Sequence, residues 1–203
     1  MKLGVLGGTF DPIHNGHIAA AVAAEATLGL HEVTLVPSHI PPHRHDPVSA
    51  TSEQRFAMAT LAAAEHRGWT ASRIEVDRQG PSYTFDTLTE LMASPGTQIF
   101  FIIGADAFAE IATWSRYPGV LDLAHFVVVS RPGITLDSLR ARVPSAFTDR
   151  PSTKTRVILV EAATPDVSST DIKRRIRAGE SLSGLVPDSV ATYIRTHRLY
   201  LGQ

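Results

Sequence analysis

An α/β fold is predicted: a Rossmann-like, doubly wound, mostly parallel sheet with further helices at the C-terminus. Short apolar runs of strand length alternate along the chain with Ala-rich or amphipathic stretches of helix length, and such alternation is the signature of βαβ units. Ile99 to Ile103 contains only Ile and Phe, as in a strand covered on both faces. The first run, Lys2 to Leu6, meets Gly7-Gly8 directly, a strand running into a turn.

In order, the first strand is followed by a helix over Gly16 to Leu28, closed by Gly29. Val33 to Val36 reads as a strand stopped by Pro37, and Ser52 to Glu65 as a helix with Ser52 as its N-cap. A short strand is expected at Arg73 to Val76, a helix at Thr84 to Met92, the buried strand at Ile99 to Ile103 and a helix at Ala107 to Ala112. Phe126 to Val129 and Arg156 to Val160 complete the strands. Ser169 to Ala178 and Ser189 to His197 read as C-terminal helices. The whole is expected to form one domain, 1–203, with a C-terminal helical part at 165–203. Ligands of such sheets bind beyond the carboxyl ends of the strands. The loops of interest are therefore Gly7 to Gly16, Pro37 to Asp46, Gly104 to Asp106 and Ser130 to Gly133. Two stretches read as loose, Pro37 to Val48 over a site and Thr148 to Thr155 as a surface loop.

With 203 residues, 43% apolar and 19% charged, the chain can bury a sizeable core. A formal net charge of −1 argues against a general nucleic-acid surface. No cysteine is present, which excludes disulfides, Cys-zinc sites and a thiol nucleophile. The N-terminus lacks the long apolar core and cleavage site of a signal peptide, and no apolar run is long enough to span a bilayer, so no membrane partner and a cytoplasmic location are expected.

Gly7 to His17 reads GGTFDPIHNGH. Its glycines permit a tight turn and close approach of backbone N–H groups to an anion. The helix that follows presents free N–H groups and a partial positive charge to the same space. His14 and His17 flank Asn15-Gly16, where Gly16 leaves passage for a ligand or another backbone. Imidazole N–H donors there can stabilise charge developing on phosphate oxygens. The segment is neither GxGxxG nor a Walker loop, and its HxxH is not the helical pair of zinc proteases, so no metal site is assigned. Near the other end, Ser168 to Arg175 reads SSTDIKRR. Ser168 and Asp171 have capping-box spacing, Gly179 ends the helix, and a helix start bearing hydroxyls and cations is also a phosphate site.

GGTFDPIHNGH resembles the signature of the HxGH nucleotidyltransferase superfamily, and in detail that of bacterial nicotinate mononucleotide adenylyltransferases. The resemblance implies transfer of AMP from ATP to nicotinate mononucleotide, giving deamido-NAD and pyrophosphate. It implies that His14 and His17 touch the ATP phosphates as catalytic residues, with Gly8, Thr9 and Phe10 lining the same site. VSSTDIK is similar to the family's ISSTxIR motif, so Ser168, Ser169, Thr170 and Lys173 are expected at the ATP phosphates, with Lys173 where the family usually has Arg. PSHIPPHR resembles the PxxxPPHK loop and places His43 and Arg44 near the substrate phosphate. PSYTFDTL and FIIGADAF resemble inner segments, which brings Thr84, Asp106 and Trp114 to the mononucleotide: a backbone N–H, a hold on ribose hydroxyls and a ring that stacks on nicotinate. The family often has Tyr or His after this tryptophan; here Ser115 stands there. Mg2+ is expected to arrive with ATP, since it favours phosphate oxygens and water. The small-molecule partners are then ATP and nicotinate mononucleotide, and the oligomeric state is left open.

Pantetheine-phosphate adenylyltransferases share the HxGH turn but are usually shorter, and Thr9 and His14 fit the nicotinate enzymes better. A cytidylyltransferase fits less well again. A non-catalytic nucleotide-binding module is the alternative from another class, distinguished by turnover. An NAD-dependent oxidoreductase is disfavoured by the missing GxGxxG.

Overall fold

The computed structural model describes residues 1–42, 48–93, 96–130, 134–147 and 156–202. The runs inside Lys2–Gly8, Gln98–Gly104 and His125–Ser130 are strands buried on both faces. β1 is Lys2–Gly8, β2 Glu32–Pro37, β3 Trp69–Ala71, β4 Gln98–Gly104, β5 His125–Ser130 and β6 Val157–Glu161. Among the described residues they form one parallel sheet in the order β3-β2-β1-β4-β5-β6. This is the doubly wound order, in which the strand sequence reverses between β1 and β4. β1 and β4 pair with Leu3 opposite Ile99 and Val5 opposite Phe101. β5 continues the ladder with Phe101 opposite Phe126, and β6 with Val128 opposite Leu159.

The helices are α1 Asn15–Leu28, α2 Ser52–Ala64, α3 Thr84–Leu91, α4 Ala105–Ala109, α5 Leu136–Arg142, α6 Ser169–Arg177 and α7 Asp188–Thr196. α1 ends as expected before Gly29, which takes φ +59°. The residues group into two compact units: Met1–Gly7, Ala20–Val33 and Tyr83–Ala163, and Gly8–Ala19, Thr34–Ser82 and Thr164–Gln203. In the first, Ile99 to Ile103 and Phe126 to Val129 are buried. In the second, Met58, Ala59 and Ala62 of α2 and Val190 and Ile194 of α7 are buried.

The structure corrects several expectations. Arg73 to Val76 is not a strand. The Asp77 N–H donates to the Arg73 carbonyl at 2.9 Å, one turn of helix-like backbone, and the Arg73 guanidinium grips Glu53 and Asp77. The short strand lies earlier, at Trp69–Ala71. α2 is capped by Thr51, not Ser52: the Thr51 hydroxyl accepts from Gln54 N–H while the Gln54 side chain accepts from Thr51 N–H. The helix expected at Ala107 to Ala112 starts earlier and divides into α4 and a 3-10 turn at Ile111–Thr113. α5, with its own Thr135–Ser138 capping box, was not anticipated. Of the loops singled out above, 43–47, 131–133 and 148–155 lie outside the described residues.

Candidate functional site

The GGTFDPIHNGH segment from Gly8 onward lies within the second unit. β1 runs through both glycines, so the sharp change of direction falls later, at Phe10, which adopts φ +50°. The glycine at position 8 serves packing: a Cβ there would stand 2.7 Å from the Phe10 ring. That ring is 1% exposed and meets His17 edge-on, with centroids 5.1 Å apart. A left-handed, non-glycine residue costs about 1–3 kcal/mol and persists only where its surroundings over-determine it. Gly16 acts similarly. A Cβ there would lie 3.1 Å from His14 Nδ1 and 3.6 Å from the Pro165 carbonyl oxygen, so the glycine makes room for the neighbouring imidazole as well as for another backbone, the passage expected.

His14 and His17 are brought together. Their rings stack with centroids 3.6 Å apart and 24° between planes. The His14 carbonyl accepts from the N–H groups of His17 and Ile18, which starts α1. The His14 backbone N–H donates to His17 Nδ1 at 3.2 Å. His17 Nδ1 is therefore an acceptor, and the neutral ring carries its proton on Nε2, the atom that can donate to a ligand. Burial pushes the His14 imidazole down to about 4, against a smaller opposing backbone hydrogen bond. Burial, and next the neighbouring His14, hold His17 well below the usual histidine value. Both rings are neutral at physiological pH.

Neutral burial has a consequence for stability. The unfolded chain binds protons at these histidines below about pH 6.5, whereas the folded His14 waits until about pH 4. Stability is thus fully present above pH 6.5 and falls as pH drops, with a slope approaching about 1.4 kcal/mol per pH unit for each histidine. Denaturant unfolding between pH 7 and pH 5 is expected to show this loss, reduced in His14→Asn. An identical pH dependence in that variant would contradict the burial of a neutral His14.

SSTDIK begins α6, also within the second unit. Ser168 is the N-cap, its hydroxyl accepting from Asp171 N–H at 3.1 Å. Ser169 donates its hydroxyl proton to the Pro12 carbonyl at 3.0 Å, tying the helix start to the turn that carries the histidines. Thr170 is exposed. The Asp171 carboxyl reaches forward to Arg175 and Arg174, and these bonds hold it below the usual carboxylate range. Arg174 also pairs with Glu180, on the outer face of α6, and so does not stand in for Lys173. Lys173 turns inward instead. Its Nζ lies 3.1 Å from Asp11 Oδ2, and the same carboxylate accepts from Ser49 N–H and Ala50 N–H, each at 3.0 Å. The ammonium expected to face phosphate is held by a buried acid 162 residues earlier in the chain.

The mononucleotide residues fall elsewhere. Arg44 and His43 lie outside the described residues. Thr84, Asp106 and Trp114 belong to the first unit. Thr84 opens α3, whose start has no side-chain cap. Asp106 is exposed in the first turn of α4 and caps nothing. Trp114 is half-buried and edge-on to Phe101, with centroids 6.1 Å apart. Arg116 joins two of these segments: its guanidinium lies 4.6 Å from the Phe85 ring centroid and 3.5 Å from Asp86, both in the first turn of α3.

Sequence reasoning missed Arg116, Asp11 and Arg55, a fully buried arginine on α2. It also missed Ser130, whose buried hydroxyl at the carboxyl end of β5 has no partner among the described residues. Only Asp11 carried a usable signal, since an acid inside an otherwise apolar turn asks for a partner.

With this geometry in view, comparison with known proteins defines the class. The cytidylyltransferase-like family model matches residues 5–175. A Frankia alni protein named "probable nicotinate-nucleotide adenylyltransferase" is 43% identical, the match covering 96% of this chain and 98% of the relative. A Streptomyces coelicolor protein of the same name is 42% identical over 98% of this chain and 100% of its own length. The chain belongs to the cytidylyltransferase-like family and, within it, to the nicotinate-nucleotide adenylyltransferases. The fold is that of a Plasmodium falciparum nicotinic acid mononucleotide adenylyltransferase solved in complex with NaAD. Its TM-score is 0.75 at 17% identity, over 98% of this chain and 97% of that one.

Proposed function

We propose that this enzyme transfers AMP from ATP to nicotinate mononucleotide, with His14 and His17 at the ATP phosphates. The observation that carries the site assignment is the stacked, neutral histidine pair, with His17 Nε2–H free to donate, at the start of α1. A phosphate oxygen of the mononucleotide attacks the α-phosphorus of ATP in line. A new P–O bond forms, the α–β bridging P–O bond breaks, and its electron pair leaves with pyrophosphate. The nucleophile is already an anion, so no general base is needed, and positioning and electrostatics supply the acceleration. Mg2+ carried on the ATP phosphates would supply charge neutralisation there. Gly8, Thr9 and Phe10 contribute backbone donors, and Ser168, Ser169 and Thr170 contribute the start of α6. Lys173 acts through Asp11, as a clamp on the turn, more than as a free cation.

Thr84, Asp106, Trp114 and Arg44 are assigned to the mononucleotide. Nicotinate carries a carboxylate; nicotinamide carries an amide that must also donate. An α3 start without a side-chain cap offers N–H donors. Asp86, the nearest acid to it in sequence, is engaged by Arg116 and is a poor acceptor for an amide NH2. Each donor left facing that NH2 costs about 1–3 kcal/mol. Nicotinate mononucleotide is therefore expected to be preferred in kcat/KM by on the order of 10- to 100-fold or more. Trp114→Ala is expected to weaken this substrate and leave ATP binding nearly intact. Pyrophosphate release with ATP and each of nicotinate mononucleotide, nicotinamide mononucleotide and phosphopantetheine tests the assignment. Equal values for the first two would remove the carboxylate subsite, and a preference for the third would overturn the proposed acceptor.

A further inference from the structure

Arg55 is among the largest side chains in the molecule to be fully buried, at 1% exposure. Arginine is rarely buried unless its donors are met. Here they converge on backbone carbonyls from three segments of the second unit. Nη1 donates to the Thr9 carbonyl at 2.7 Å and to the Ser38 carbonyl at 2.5 Å. Nη2 donates to the His39 carbonyl at 3.0 Å, and Nε to the Ala50 carbonyl at 3.2 Å. One planar fork thus joins the turn after β1, the end of β2 and the residues leading into α2. No other side chain type offers five donors in one rigid plane.

The direction of these bonds matters more than their number. In a trans peptide the C=O and the following N–H point oppositely. The Ser38 carbonyl faces Arg55, and the next N–H, that of His39, duly points elsewhere, donating to Ser82 Oγ at 2.8 Å. By the same geometry, a Thr9 carbonyl held by Arg55 turns the Phe10 N–H away from Arg55. Phe10 is the strained residue of the turn, with φ +50°, and its ring already lies against His17. The grip on Thr9 fixes one side of that strained residue, and the packing of its ring fixes the other.

We propose that Arg55 is a positioning residue for ATP: by holding the Thr9 carbonyl it aims the Phe10 N–H at the nucleotide phosphates. It touches no reacting atom. The inference rests on the adenylyltransferase reading and adds to it a residue that sets phosphate affinity from behind the turn.

Arg55→Lys keeps the charge and loses the fork. Calorimetric titration with ATP alone, no mononucleotide present, is expected to show unchanged stoichiometry and a Kd raised at least about tenfold, the worth of one hydrogen bond to a charged group. A purely architectural arginine would give the opposite pattern, with a smaller binding-competent fraction at unchanged Kd, and that result overturns the proposal. If Arg55→Lys does not fold, the wild-type protein decides. The Phe10 amide resonance must be among those that shift on adding ATP, and an unshifted Phe10 amide overturns the proposal as surely. Wild-type protein that binds no ATP overturns both the inference and the function. Wild-type protein that binds ATP but makes no dinucleotide from nicotinate mononucleotide overturns the function alone, and the Arg55→Lys titration still decides the inference.

Discussion

Replacing His17 with alanine is expected to lower kcat by roughly 10²–10³, with the KM for ATP changed far less. The size is that of one hydrogen-bond donor aimed at charge that develops in the transition state. The structure supplies the reason for choosing this histidine. The His14 N–H occupies His17 Nδ1, which places the ring proton on Nε2. The stack with His14 and the edge contact with Phe10 hold the ring in that orientation, so no reorganisation is needed at the moment of reaction. His17→Gln keeps an N–H donor and is expected to recover part of the loss. Steady-state rates at saturating substrates check both. An unaltered kcat in His17→Ala would remove this side chain from the chemistry.

Breaking the Asp11–Lys173 pair is expected to cause a large loss of stability. Asp11 has no exposed side-chain surface and Lys173 only 10%. A buried pair broken by removing one partner costs about 3–5 kcal/mol, because the remaining charge loses a buried, hydrogen-bonded partner. For a protein of this size that corresponds to a fall in Tm on the order of 10 °C. Lys173→Ala, followed by denaturant unfolding, measures it. Asp11 also accepts from two backbone N–H groups, so the loss should propagate to the turn, and ATP affinity is expected to fall in parallel. A change within about 0.5 kcal/mol, the range of ordinary surface substitutions, would show that the pair does not clamp the turn to α6.

Much of this was legible in the residues themselves. Strands with no polar interruption, such as Ile99 to Ile103, could be nothing else, and the helix that closes at Gly29 followed from its terminal glycine. The two segments proposed for the phosphates stood out because they combine chemistry with an element boundary: two histidines between a strand and a helix, and three hydroxyls at a helix start. What failed depended on tertiary partners. Arg73 to Val76 has a strand-like alternation, but the Arg73 pairs with Glu53 and Asp77 accompany a turn. Ser52 and Thr51 are equally good caps by type, and only the reciprocal bond with Gln54 distinguishes them. Lys173 read as a cation for phosphate because its acid lies at the far end of the chain. Arg55 was not singled out, because nothing local reveals the Thr9, Ser38 and His39 carbonyls that meet its guanidinium. Gly8 read as a turn maker, whereas the structure uses it as room for the Phe10 ring.

The proposed reaction is a single direct transfer of AMP to the mononucleotide, in a site that works by positioning and electrostatics. The stereochemical course at the α-phosphorus tests it most directly. With one diastereomer of adenosine 5′-(α-thiotriphosphate) and nicotinate mononucleotide as substrates, the thio-dinucleotide is predicted to carry inverted configuration at phosphorus. Retention, which requires two displacements through an adenylylated side chain, would contradict it.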